Sequence, residues 1–269
     1  MHGIKTELIG AAPRIAVDHM GTGPLLVVLH GIGGNRTNWR DQLPVFAQRF
    51  QAVAWDARGY GESDDYDGPL SYDDFCDDLV RVLDHFKSDK AHLVGLSMGG
   101  FIAQDFYGHH PQRVASLVLA DTRPGWEQAF DPAAREEFLR LRLKPLQEGK
   151  SVAEMAPAVA RSLMGSSAGE EVFARLVESM SALHKESYMK SIAARGDWKP
   201  VLDPSSVKVP TLVVVGDDDR LTPPAMAKSI ADAIPGARLA IIPAAGHLSN
   251  IEQPAAFNAA VLDFLAFVS

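Results

Sequence analysis

The chain has 269 residues, with 26 basic and 34 acidic side chains and a net charge of −8. At 46% hydrophobic and 22% charged it has the make-up of a globular protein able to bury a sizeable core. The acidic balance lacks the basic stripe of a nucleic-acid binder, Cys76 alone excludes an internal disulfide, and no Cys/His cluster has metal-ligand spacing. No apolar run reaches the ~20 residues that cross a bilayer, and the first seven residues lack the apolar stretch of a signal peptide. The default expectation is a cytoplasmic protein with no membrane or nucleic-acid partner.

Leu25–Leu29 is a short, β-rich apolar run halted by His30-Gly31 and the Gly33-Gly34 pair. Similar runs follow at 52–55, Ala91–Leu96, Val114–Ala120, 211–215 and Arg238–Ile242. Continuous apolar runs suit strands buried on both faces, as in a parallel sheet. Helical patterns lie between them. Ser71-Tyr72-Asp73-Asp74 predicts a capping box, with Phe75, Leu79, Val82, Leu83 and Phe86 on the inner face of the helix that follows. Cys76, one residue off that face, reads as a packed thiol. Thr222-Pro223-Pro224 predicts a second helix start, with Thr222 as N-cap. Strand and helix alternate, so the fold class is α/β with a mostly parallel central sheet flanked by helices.

The alternation breaks between residues 122 and 200. Helical stretches at 133–143, 152–164, 170–183 and 186–195 carry no strand pattern, and residues 123–199 hold 12 basic and 11 acidic side chains. An insert between two parallel strands can cover their carboxyl ends, where such sheets bind ligands. The expected organisation is a core of 1–121 and 201–269 with a helical cap at 122–200. Eight acids and no Lys or Arg fall within 62–78, leaving the rest of the chain formally neutral. That patch reads as a solvated, helix-capping face.

The strand Ala91–Leu96 runs into Gly95-Leu96-Ser97-Met98-Gly99-Gly100 and then a helix. This is G-x-S-x-G in strand–turn–helix context, a turn that presents the serine hydroxyl at the top of a sheet. Gly95 and Gly99 allow strand and helix to approach closely. A serine needs a base, and the base an orienting acid. Candidates follow two later strands, in Asp217-Asp218-Asp219 and at His247. The Met98 N–H supplies one oxyanion donor, and the turn His30-Gly31-Ile32-Gly33 can present a second from Ile32. His30 reads as a prop for that turn. Gly31-Ile32-Gly33-Gly34-Asn35-Arg36 fails the dinucleotide pattern because Arg36 replaces the third glycine.

At these segments, together with Asp56-Ala57-Arg58-Gly59-Tyr60-Gly61-Glu62-Ser63 and Gly246-His247, the chain resembles the α/β-hydrolase superfamily over nearly its whole length. The family pattern G-x-x-D-x-x-x-P, laid on Gly216 and Pro223, selects Asp219 over Asp217 and Asp218. The stretch 246–254 looks like 3-oxoadipate enol-lactonases and neighbouring carboxylesterases, while His30-Gly31 is the commoner esterase form. The resemblance implies a Ser97–His247–Asp219 triad cleaving a small ester or lactone through an acyl-enzyme, with no cofactor or metal. The same triad serves C–C bond hydrolases, thioesterases, perhydrolases and lyases, and a low-turnover small-molecule receptor could retain it. Ser97 excludes the aspartate nucleophile of dehalogenases and epoxide hydrolases. Arg123, Trp126, Leu221 and Leu248 are candidate substrate contacts. A dianionic substrate would call for an inward cap arginine, available from Arg123, Arg135, Arg140, Arg142 or Arg161.

Overall fold

The computed structural model describes residues 3–125, 132–199 and 201–268. The six apolar runs all become strands: β3 (Leu25–Leu29), β4 (Gln51–Trp55), β5 (Ala91–Leu96), β6 (Val114–Ala120), β7 (Thr211–Gly216) and β8 (Arg238–Ile242). Two more precede them, β1 (Lys5–Ile9) and β2 (Ile15–Met20), which sequence reasoning passed over. Among the described residues the sheet has eight strands in the order β1-β2-β4-β3-β5-β6-β7-β8. Pairing is parallel from β4 to β8, and only the β1–β2 and β2–β4 pairs are antiparallel. The missed strands lie at one edge, where β1 is largely exposed and its Lys5, Thr6 and Glu7 break the continuous apolar signal.

Both faces of the sheet are covered. Along β3, Leu25, Val27 and Leu29 pack into one core while Leu26 and Val28 pack into the other, as the period-2 alternation of a strand requires. Helices α1 (Leu43–Phe46), α2 (Tyr72–His85) and α3 (Met98–His109) belong to the first half of the chain. The expected capping box opens α2, since Ser71 accepts from the Asp74 N–H and Asp74 from the Ser71 N–H. Phe75, Leu79, Val82 and Leu83 are buried, and so is Cys76, whose thiol burial pushes up.

Between β6 and β7 the chain inserts α4 (Pro132–Gln147), α5 (Val152–Leu163), α6 (Glu170–Ser181) and α7 (Lys185–Asp197). The insertion is tied to the core at several points: Arg175 donates to Asp41, Ser179 to Asn38 and Lys190 to the Tyr66 carbonyl. After β7 come α8 (Pro224–Ala233), α9 (Ser249–Glu252) and α10 (Pro254–Val268). The start of α8 corrects one expectation. Pro223 is the N-cap, and the Thr222 hydroxyl is engaged elsewhere.

The acidic stretch is in large part the exposed, helix-capping face expected, with Glu62, Asp65, Asp67, Asp73 and Asp77 exposed and Asp74 in the capping box, but it is also laced with ion pairs. Several of its carboxylates take partners from outside it. Asp64 pairs with Arg14, Glu62 with Arg36, Asp74 with Arg58, and the buried Asp78 with both Arg58 and Arg81. Counting charges within a window could not show this, because every one of these arginines lies outside 62–78 or beyond its end.

Candidate active site

Ser97 sits between β5 and α3 at φ 54°, ψ −111°, in a region that side-chain-bearing residues avoid. The turn is this tight because both flanking glycines lack a Cβ. A methyl on Gly95 would come within 2.7 Å of the Gly100 nitrogen, and one on Gly99 within 2.6 Å of the Leu29 carbonyl carbon. Ser97 is the N-cap of α3 but makes no capping hydrogen bond. Its hydroxyl points instead to His247, with Oγ 2.9 Å from Nε2. The N–H groups of Gly100 and Phe101 close onto the Ser97 carbonyl, and that of Met98, at the helix start, is placed to meet a ligand.

The candidate base and acid arrive on the loops after β8 and β7. Nδ1 of His247 lies 2.9 Å from Asp219 Oδ2, which sets the order Ser97–His247–Asp219. Asp219 is completed from its own loop, where Leu221 N–H and Thr222 N–H donate to Oδ1 and the Thr222 hydroxyl to Oδ2 at 2.5 Å. Burial alone would raise this carboxyl, but the bonds from His247 and Thr222 outweigh it and hold the group below the ordinary value. Of the three aspartates in the run, Asp218 is turned toward the Ser166 N–H and Arg220, and Asp217 accepts from the Ala245 N–H.

Asp121, at the end of β6 with φ 45°, was not foreseen. Fully buried, it accepts from the Gly216 N–H through Oδ1 and from the Ser249 N–H and hydroxyl through Oδ2. It therefore ties the strand end before the acid loop to the helix start after His247. Burial pushes its carboxyl up to about 7, His247 opposing and Asp219 reinforcing the rise.

The turn after β3 is set by His30. Ala57 N–H donates to Nε2 at 3.0 Å, so the ring proton sits on Nδ1 and donates to the Gly31 carbonyl at 2.8 Å. The same carbonyl also accepts from the Gly34 N–H. Because the peptide is planar and trans, fixing the Gly31 oxygen aims the Ile32 N–H the opposite way. Burial pushes the His30 imidazole down, keeping it neutral. Asp56 stabilises the neighbouring loop, accepting from the N–H groups of Arg36 and Glu62 and pairing with the Arg36 guanidinium.

These elements meet at a cavity of about 170 Å³ between the sheet and the insertion. His30, Gly31, Ile32, Ser97, Met98 and His247 line it, as do Arg123, Leu221 and Leu248. Gly95 and Gly99 lie behind it, at the strand–helix contact. Trp126 falls outside the described residues. The candidate arginines divide clearly. Arg135, Arg140 and Arg161 are bonded to Asp197, Glu137 and Glu170, whereas Arg123 and Arg142 line the cavity. Arg195 and Tyr72 also line it, and neither was singled out from sequence. Tyr72 read there only as part of the capping box that opens α2, and Arg195 as the last position of a helical stretch. Thr222 carried a usable signal, since a Thr three residues after an Asp is placed to close a local turn. Among the described residues no group of His, Cys, Asp and Glu is arranged to hold a metal ion, and no helix is long and apolar enough to cross a membrane.

A mostly parallel sheet with a serine elbow at its centre, and a histidine and an aspartate in line with it from adjacent strand ends, defines an α/β hydrolase. The sequence model of the alpha/beta hydrolase fold family matches residues 24–254, and the chain belongs to that family. It is 28% identical to 3-oxoadipate enol-lactonase 2 of Acinetobacter baylyi over 88% of this chain and 87% of that protein. It is 31% identical to the 2-hydroxy-6-oxononadienedioate/2-hydroxy-6-oxononatrienedioate hydrolase of Cupriavidus pinatubonensis, over 94% of this chain and 90% of that one. Among solved structures, a thermophilic esterase from Thermogutta terrifontis superposes with a TM-score of 0.88 at 29% identity, covering 99% of each chain.

Proposed function

We propose that the protein hydrolyses a small carboxylic ester or lactone through a Ser97 acyl-enzyme. The observation that carries this reading is the Ser97–His247–Asp219 hydrogen-bonded line, with 2.9 Å at both steps, at the strained turn. His247 takes the hydroxyl proton as Ser97 Oγ attacks the carbonyl carbon. The Ile32 and Met98 N–H groups receive the oxyanion, each worth about 3 kcal/mol in comparable sites. Collapse of the tetrahedral intermediate breaks the ester bond, and His247 returns the proton to the departing alcohol or enol. Water then attacks the acyl-enzyme by the same route, releasing the acid. Asp219 holds the imidazole in the tautomer that presents Nε2 to Ser97 and stabilises the imidazolium.

On this reading a core of 1–121 and 201–269 supplies the chemistry, and a cap of 122–200 supplies most of the distal cavity wall. C–C bond cleavage by the same triad is the second reading, favoured by the 31% identity to a hydrolase of that class. The decisive test is turnover of p-nitrophenyl acetate, a lactone panel and a vinylogous β-diketone acid by wild type and Ser97→Ala. Ester or lactone turnover that falls about 10⁴-fold or more in the variant is expected. Near-normal turnover in Ser97→Ala overturns the nucleophile assignment, and activity confined to the diketone selects the second reading.

A further inference from the structure

Neighbouring side chains of α3, Gln104 and Asp105, grip the connections of the insertion at its start and its end. Gln104 accepts from the Gly125 N–H and donates to the Arg123 carbonyl at 3.1 Å, where the chain leaves β6. Asp105 accepts from the indole of Trp198 at 2.6 Å, just past the end of α7, where the chain turns back toward the core. Both α3 side chains are buried. Trp198 is not itself a lining residue of the cavity, but it stands behind three that are. Its ring meets Phe101 edge-on at 5.1 Å and Tyr72 at 6.3 Å. The Arg195 guanidinium carbon lies 5.3 Å from it and 3.9 Å from the Phe101 ring. Ring pairs and a cation over a ring depend on orientation, and the indole N–H fixes that orientation because a buried donor must keep its acceptor.

A carboxyl is a costly acceptor for this purpose. Oδ2 takes the indole, whereas Oδ1 is buried with no hydrogen-bond partner among the described residues. The charged groups that act on it are Asp73 on α2, itself paired with His109, and Arg195 on α7. Tyr72 and Cys76 on α2 also stand within reach, and burial pushes both upward, which keeps them neutral. Burial pushes Asp105 up to about 7, with Asp73 adding to the rise and the indole bond and Arg195 opposing it.

We infer that Asp105 is a positioning residue for substrate binding: through the Trp198 indole it holds the cavity wall of Phe101, Tyr72 and Arg195 in place, and so governs KM and not the bond-making step. This deepens the ester-hydrolase reading above and rests on it. The wall is pH-dependent as a result. Where the seam between α3 and Trp198 opens, water reaches the carboxyl and it returns toward its ordinary 3.8. The packed wall therefore has its full stability at low pH and loses it as pH rises through about 7. A slack wall binds the substrate and the transition state less well alike, which raises KM and leaves kcat in place.

The test follows KM and kcat for p-nitrophenyl butyrate. Asp105→Leu keeps the branched shape but has no acceptor, and its KM should rise about tenfold with kcat within about threefold of wild type. In Asp105→Asn the amide oxygen still accepts from the indole, so KM at pH 6 should stay within about threefold. The Asn side chain stands in for the protonated carboxyl at every pH, and the titration of His247 is common to both proteins. The ratio of the wild-type KM to that of Asp105→Asn should therefore climb about threefold or more from pH 6 to pH 8.5. A ratio flat over that range overturns the proposal, as does an Asp105→Leu protein whose KM stays within threefold of wild type. Should Asp105→Leu fail to fold, the ratio decides alone. Hydrogen–deuterium exchange of residues 193–199 reads the wall without turnover. It should quicken about fivefold in Asp105→Leu against wild type, and in wild type against Asp105→Asn at pH 8.5. Quickened exchange in a protein that cleaves no ester leaves the positioning role standing while the hydrolase reading fails. Equal exchange in both comparisons overturns the role whatever the esters do.

Discussion

Gly99→Ala tests whether the elbow is held by close packing of strand against helix. In an ordinary helix interior this change adds about 1 kcal/mol of stability. Here the new methyl would lie 2.6 Å from the carbonyl carbon of Leu29 and 2.8 Å from its Cβ. Carbon atoms rest about 3.5–4.0 Å apart, so α3 and β3 must separate by roughly 1 Å. Neither can give cheaply, because Leu29 is fully buried and its strand is paired on both sides. Overpacking of this kind costs about 1–3 kcal/mol, and the absence of a flexible side chain among the obstructing backbone atoms places it at the upper end. After the helix-propensity gain, a net loss of roughly 2 kcal/mol remains, or about 4 °C in Tm for a chain of this length. Because β3 runs directly into the proposed oxyanion turn, the same separation moves Ser97 relative to Ile32, and a shift of 1 Å costs about 10²-fold in kcat/KM. Urea denaturation and ester kinetics on the purified variant measure both. A variant as stable and as active as wild type would refute the packing account.

Three further outcomes follow from the site and its supports. In His30→Ala the Gly31 carbonyl loses its imidazole donor, so kcat should fall tenfold to a hundredfold with KM little changed; an unaltered kcat would count against the role of His30 in aiming Ile32. In Asp56→Ala, Arg36 keeps Asp18 and Glu62 but loses its fully buried partner, and unfolding free energy in urea should drop by about 3 kcal/mol, a loss under 1 kcal/mol contradicting it. Asp121 has its folded carboxyl at about 7 against an ordinary 3.8, so the folded state retains a proton that the unfolded chain releases. Its contribution to stability is therefore present at low pH and is lost as pH rises through about 7. Asp105, also raised to about 7, adds the same trend. Asp121→Asn should flatten the decline of urea midpoint between pH 5 and 8, and an identical slope in the variant would exclude the linkage.

What could be read in the sequence followed from local constraints. A strand buried on both faces must be continuously apolar, so β3 to β7 announced themselves, β8 kept an apolar run at 239–242 although it is a largely exposed edge, and an elbow needs glycine on both sides of its serine. The four helices of the insertion were visible from periodicity and from the Pro and Gly between them. Edge strands escaped because β1 and β2 bury only part of their surface, and α10 because Phe257, Val261, Phe264 and Leu265 sit in a nearly all-apolar segment without a polar face. Asp121, Tyr72 and Arg195 could not be found at all. Their importance lies in what approaches them from segments far along the chain, such as Ser249 reaching Asp121 across 128 positions. The ion pairs of the acidic stretch escaped for a related reason, since Arg14 and Arg36 reach it only in space, although Arg81 is three positions from Asp78.

Ser97 sits at φ 54° between two fully formed elements, and that has a consequence beyond presenting a hydroxyl. Any side chain at this position is held in a costly conformation, by about 1–3 kcal/mol, whereas glycine would adopt it freely. The fold would therefore be more secure with the proposed nucleophile replaced by glycine than with it kept. Thermal stability and reactivity pull in opposite directions on a single pair of dihedral angles. Attempts to harden this protein by screening for heat resistance alone would tend to silence it first at position 97, so any such screen must be run under selection for turnover.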